Sequence, residues 1–173
     1  HRVKGEGFFL AAFRKTAGAT AKVKARPFQR LQEIKAKEAA PAQPWVEQAD
    51  QFRIFASEKG TWRVLRRELV EDAQFLATRL KRLEVGSILG ELKGKQLIPA
   101  PEWAFQLSCK SDLPAVELDE ASALEVLRKN TPSIPDLPKG WLLARYQGLN
   151  LAWLKGLGNR YNNYYPKHWR IRM

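Results

Sequence analysis

The chain has 173 residues, 45% of them hydrophobic, and a net charge of +12. That is enough apolar content for the core of one domain, or of one domain with an appendage, and the cation excess points to a polyanionic partner such as nucleic acid. The lone cysteine, Cys109, excludes an internal disulfide and a thiol cluster for a metal, and no apolar run reaches the roughly 18 residues of a membrane span.

A reducing cytoplasm is therefore expected, and no signal-peptide pattern appears. The charge is uneven. Residues 1–44 carry net +7, residues 45–139 net −1 and residues 140–173 net +6. A near-neutral middle between basic ends suits a scaffold that presents cations locally. The start at His1, followed by a charged-then-apolar run, leads to the expectation of a piece cut from a longer protein.

In chain order, Phe8 to Phe13 reads as a buried strand entered through Gly5-Glu6-Gly7, with its sheet partners elsewhere. Thr16 to Pro44 is rich in Ala and Lys and reads as a basic linker. Its Phe28, Leu31 and Ile34 permit a short helix. Gln51 to Ala56 alternates, Lys59-Gly60 makes a turn, and Trp62 and Val64 continue a second strand of a hairpin. Leu69, Leu76, Leu80 and Leu83 recur at helical spacing, with acids early and bases late, as the helix dipole favours.

Leu83 to Ser108 is punctuated by Gly86, Gly90 and Gly94. Short strands are expected at Val85 and Ile88-Leu89. Gly90 to Lys95 lacks the Gly-Lys-Ser/Thr ending of a phosphate loop and is not a nucleotide site. Pro101 opens a helical turn that places Trp103 and Leu107 on one face. Ala115 to Leu118 is a strand. Asp119 caps a helix to about Lys129, with Leu124 and Leu127 inward. A stiff proline loop follows. Trp141–Tyr146 and Leu149–Leu154 form a hairpin, and Trp169 to Arg172 is expected as a last strand. The sum is an α+β fold with a small, closed or half-closed mixed sheet and two or three short helices, preceded by the basic linker.

Some stretches resemble a known family. Arg2-Val3-Lys4-Gly5-Glu6-Gly7-Phe8-Phe9-Leu10-Ala11 resembles the closing strand of the catalytic domain of the Nop/Sun family of RNA 5-methylcytosine methyltransferases, in the RsmF-like bacterial branch. Gly90-Glu91-Leu92-Lys93 and Gly140-Trp141-Leu142-Leu143 resemble that branch's C-terminal PUA-like RNA-binding domain. So do Asn162-Asn163-Tyr164-Tyr165-Pro166-Lys167 and Trp169-Arg170-Ile171-Arg172. The resemblance covers residues 1–14 and roughly 81–173. It implies closing strand 1–15, linker 16–46, a hairpin–helix connection 47–80 and a PUA-like pseudobarrel 81–173.

The resemblance further implies a parent enzyme that moves a methyl group from S-adenosylmethionine to carbon 5 of a cytosine, in small-subunit ribosomal RNA. Such enzymes use two cysteines, one as nucleophile. Here Cys109 stands alone, outside any Pro-Cys or Thr-Cys pair. The catalytic body is therefore expected upstream of His1, no catalytic residue is carried over, and this chain itself is expected to hold no cofactor and to catalyse nothing. Its expected partners are RNA and its own catalytic domain, not a membrane. The family pattern is also less dense in tyrosine than Tyr161, Tyr164 and Tyr165 make this chain.

Residues 148–173 interleave Lys155, Arg160, Lys167, Arg170 and Arg172 with aromatic rings and hold no acid. That mixture suits phosphates and unstacked bases. Lys93 and Lys95 beside Gly94, and Lys155, Arg160, Lys167 and Arg170, are candidate phosphate contacts. Asn162 and Asn163 either read a base edge or satisfy turn backbone. Tyr165, held extended by Pro166, either stacks on a base or packs in the core. Trp141 and Trp153 are expected in the core, and His168, without metal-ligand company, receives no role. The rival from another class is a basic protein–protein docking module with no direct RNA role.

Overall fold

The computed structural model describes residues 27–28, 31–80 and 83–172. The expected strand at Phe8 to Phe13 lies outside the described residues, as does the Arg2–Ala11 resemblance. Nine strands and two α-helices are described, in two sheets. The first sheet is an antiparallel meander of β1 (Leu31–Glu33), β2 (Phe52–Ser57), β3 (Thr61–Arg66), β4 (Ser87–Lys93) and β5 (Gln96–Pro99). The second has the order β6 (Ala115–Glu117), β7 (Gly140–Tyr146), β8 (Leu149–Gly156), β9 (Tyr161–Asn163). Helix α1 spans Val70–Ala77 and α2 spans Glu120–Leu127.

Local chemistry accounts for most of the hairpins. Lys59 and Gly60, the latter at φ +80°, close β2 onto β3. Gln147 and Gly148, both at positive φ, form the two-residue turn between β7 and β8, a conformation that matches the twist of the paired strands. Strand β6 runs parallel to β7, so a crossover is required, and α2 supplies it.

The second sheet is buried on both faces. One face gives Leu143 and Trp153 to a core shared with Trp62, Val64, Leu89 and Leu97 of the first sheet. The other gives Leu142, Ala144, Ala152 and Leu154 to a core with Ala123 and Val126 of α2. This explains why Trp141 to Ala144 and Leu151 to Leu154 are continuous apolar runs rather than alternating ones. Leu142, Leu143 and Leu154 are fully buried, each a gain of about 2 kcal/mol from burial alone. Indole N–H groups join the layers. Trp103 Nε1 donates to Trp45 O at 3.0 Å, and Trp153 Nε1 donates to Ala100 O at 3.0 Å.

Several expectations need correction. The linker read over 16–46 is structured from Leu31 onward. β1 pairs with β2, and Trp45 and Val46 are buried in the first core. One large indole with satisfied polar neighbours anchors a stretch that is otherwise rich in Ala and Lys. A boundary at 81 would cut a continuous sheet, because β4 pairs with β3. Helix α1 stops at Ala77 and buries no residue; Leu69, Leu76 and Leu80 are exposed. A single strand starting at Ser87 replaces the two short ones, with Val85 before it. The turn after Pro101 is a 3₁₀ helix ending at Phe105, so Leu107 swings fully into solvent while Trp103 is buried.

In α2 the inward positions are Ala123 and Val126, not Leu124 and Leu127. Small side chains let the helix sit close on a sheet whose own leucines already fill the space. Trp169 to Arg172 is a turn and irregular chain rather than a strand. It is tied down by Ile171 N–H donating to Leu127 O at 3.2 Å.

Candidate nucleic-acid interface

Strand pairing sets the site. Trp141 pairs with Lys155, and Lys155 pairs with Asn162. Directly paired residues share a face, so these form one row across β7, β8 and β9. Tyr164 adds a ring edge-on to Trp141, with centroids 4.5 Å apart. The Lys155 ammonium stands 5.2 Å from the Trp141 ring centroid. Lys155 thus shares the face of the core residues Leu143 and Trp153, where a half-buried cation is balanced by an aromatic face. Trp153 is core, but Trp141 is only half-buried and belongs to the rim of that core.

The next row, Gly140–Gly156–Tyr161, brings further cations to the same end of the sheet. Lys139 precedes Gly140 and its side chain crosses Gly158. Arg160 precedes Tyr161 and is exposed. The proline loop packs against this end. Pro138 O lies so near Gly156 that a Cβ there would meet it at 1.9 Å. Tyr161 Oη donates to Pro132 O at 2.7 Å, and burial pushes the phenol pKa up. Between loop and turn lies a groove of about 390 Å³ lined by Thr131, Pro132, Ile134, Leu137, Arg160 and Tyr161.

The neighbouring asparagines have different places. Asn162 is exposed on the Lys155 face. Asn163 is buried, and its side chain is fully used. Its Nδ2 donates to Val126 O at 2.8 Å and Asn130 O at 2.9 Å, and its Oδ1 accepts from Tyr165 N–H at 2.8 Å. Lys129 Nζ donates to the Asn163 carbonyl, and burial lowers the Lys129 pKa. Asn163 therefore binds the end of α2 to β9 and has nothing left for a base edge. Tyr165 is half-buried against the second core, with Oη donating to Trp169 O at 3.3 Å. It packs; it does not present a free ring.

Lys167 and Arg170 are exposed on the turn beyond Tyr165. Lys93 and Lys95 are exposed at the β4–β5 tip, beside Gly94 at φ +61°, and belong to the first sheet. So Lys155, Arg160 and Asn162 gather at one end of the second sheet, Lys167 and Arg170 sit on the C-terminal turn, and Lys93 and Lys95 are placed apart. Among the described residues the ion pairs engage Arg53, Arg63, Arg66, Lys110 and Arg128, and none uses these candidates. Motif reading gave Lys139 no role and placed Tyr164 only within the Asn162–Lys167 stretch, without a contact of its own. Lys139 was signalled only by its place before the Gly-Trp strand.

The glycines of β4 and the segment before it make no open cradle for a cofactor. A Cβ at Gly86 would meet Val64 O at 2.3 Å, and one at Gly90 would meet Ile98 O at 2.1 Å. They serve close strand contact, so no cofactor chemistry is assigned to them. Cys109 is buried, and desolvation pushes its thiol up to about 11. Such a thiol is not poised as a nucleophile. Among the described residues no group of three His, Cys, Asp or Glu could hold a metal, and no helix is long and apolar enough to cross a membrane.

Residues 113–171 match the family model described as the methyltransferase RsmF PUA domain. This C-terminal region is an RsmF-like PUA region. The match takes in the whole second sheet, α2 and the C-terminal turn, and with them every candidate contact except Lys93 and Lys95. No curated protein matches the chain.

Proposed function

We propose that the PUA region binds RNA and positions it for the catalytic domain of an S-adenosylmethionine-dependent RNA (cytosine-5) methyltransferase, with small-subunit ribosomal RNA as the substrate, in the cytoplasm. In this reading the groups for the methyl transfer belong to that catalytic domain. The observation that carries the reading is the Trp141–Lys155–Asn162 row, flanked by exposed cations that form no ion pair among the described residues, inside a region that matches the RsmF PUA domain. Cations placed this way hold phosphates, and the exposed amide of Asn162 is free to meet a base edge. Attachment to a catalytic domain needs apolar surface, and the exposed Leu69, Leu76 and Leu80 near α1 supply some.

The test is RNA affinity of the full chain against salt, for the wild type and for the Lys155→Ala, Arg160→Ala, Lys167→Ala triple variant. A steep fall of log K with log salt, made shallower in the triple variant, is expected. Binding that ignores salt would sink the electrostatic reading. Binding unchanged by the triple substitution would move the interface to another face. A tight protein complex with no RNA affinity would favour the docking-module alternative.

A further inference from the structure

The geometry points to a second RNA contact, resting on the RNA-binding reading: an aromatic platform made by Phe105 and Trp169 on which unstacked bases of a single strand lie. The two rings come from distant parts of the chain and meet with centroids 6.2 Å apart, tilted by 52°. Phe105 is 50% exposed, an unusual position for a phenylalanine at the end of a helical turn that buries Trp103 completely. Trp169 is half-buried and positioned from several sides. Its N–H donates to Pro166 O at 3.0 Å, its carbonyl accepts from Tyr165 Oη, and the Tyr165 ring meets its edge with centroids 6.1 Å apart. The His168 ring adds a further flat surface 5.7 Å from it. The platform is therefore held in place before any ligand arrives.

Its surroundings select the occupant. Lys167, Arg170 and Arg172 are exposed on the same turn, and no acid occurs after Asp136. The one carboxylate close in sequence on the other side is Glu102, which is exposed. An apolar partner alone would gain nothing from three exposed cations on the segment that carries Trp169. A single-stranded RNA gains from both, because phosphates meet the cations while base faces cover the rings. Any base has such a face, so this contact adds affinity for single strands without reading their sequence, whereas Asn162 on the sheet row is placed for selectivity.

The experiment compares the full chain binding a single-stranded RNA oligonucleotide with its binding an abasic ribose-phosphate strand of equal length, over a range of salt. The wild type is expected to prefer the base-bearing strand by about five-fold to about a hundred-fold per stacked base. The Phe105→Ala, Trp169→Leu double variant should lose most of that preference while its affinity for the abasic strand and its salt slope stay unchanged. Trp169→Phe keeps a ring and should retain the preference. Should the double variant unfold, Phe105→Ala alone carries the comparison, since half of that ring is already in solvent. A wild type that binds both strands equally, or a preference that survives loss of both rings, overturns the platform while leaving the electrostatic interface standing. A wild type that binds neither strand overturns both.

Discussion

Lys155 Nζ stands 5.2 Å from the Trp141 ring centroid, reaching across the β7–β8 pair. The contact does two things. It balances a cation on an otherwise apolar face, and it holds that cation next to the exposed Asn162. A pair of this exposure contributes about 0.5–1 kcal/mol. Lys155→Ala is therefore expected to change the urea midpoint little. RNA affinity should fall, and the slope of log K against log salt should become shallower by about 0.7, the value for one phosphate on a single strand. An unchanged slope would mean that the ammonium serves Trp141 alone.

Asn163 is expected to behave in the opposite way. Its side chain makes three hydrogen bonds at the junction of α2 and β9. Removing it leaves Val126 O, Asn130 O and Tyr165 N–H to find water or remain unpaired. Asn163→Ala should cost about 2–4 kcal/mol, since buried groups that lose their partner bear the full desolvation penalty. Asn162→Ala next door should cost under about 0.5 kcal/mol, as an exposed site does. Chemical denaturation of the two variants side by side checks the contrast. Equal losses would contradict this placement of the two asparagines.

Much of the scaffold was legible because its signals are local. Lys59-Gly60, Gln147-Gly148 and Asp119 each specify a turn or a cap within four residues, and each does so in the structure. The asparagine pair shows where such reading stops. Asn162 and Asn163 are chemically identical, and only the register of β9 against β8 decides which faces solvent. The same holds for α2. Leu124 and Leu127 satisfy the apolar pattern as well as Ala123 and Val126 do. The choice depends on how near the sheet lies, which is a long-range property. The linker reading of the stretch before Trp45 failed for a related reason. That stretch has the composition of a tether, and its order depends on Ala42 and Trp45 packing with Trp103 and Trp153, far apart in the chain. The platform residue Phe105 gave no signal, since an exposed phenylalanine reads the same as a buried one.

Gly156 offers a steric test of the proline loop. A methyl group there would lie 1.9 Å from Pro138 O, a backbone atom that cannot rotate away. Gly156→Ala must push the loop off the sheet end or distort β8. Overpacking of this kind costs about 1–3 kcal/mol. The loss should appear in the denaturation midpoint, and the displaced loop should also weaken the Tyr161–Pro132 hydrogen bond that borders the groove. A variant as stable as the wild type would show that the loop does not rest on Gly156.

Asp119 gives the pH dependence. Its carboxylate accepts from Ser122 N–H at 2.7 Å, and this hydrogen bond holds its pKa below the ordinary aspartate value of 3.8. The unfolded chain therefore binds this proton more readily than the folded one. The stabilisation is complete above about pH 4 and is lost as the pH falls through the lower, folded value. Thermal melts of wild type and Asp119→Ala should differ at pH 7 and converge in strong acid. Asp119→Asn keeps an acceptor oxygen and should lie between the two at pH 7, without the acid-dependent loss at this site.

Cys109 closes the comparison with a thiol built for catalysis. It is buried near the Val46 bridge, and desolvation outweighs the nearby Arg145 charge, raising its pKa from 9.0 to about 11. At pH 8 the folded protein thus holds roughly a hundred-fold less thiolate than an exposed cysteine would. Reaction with a disulfide reagent should be slower by at least that factor in buffer and should reach the rate of a free thiol in denaturing urea. A nucleophile serving cytosine chemistry would need the reverse, a depressed pKa and an open approach. Rapid labelling of the native chain would place Cys109 in a reactive setting and contradict its burial in the first core.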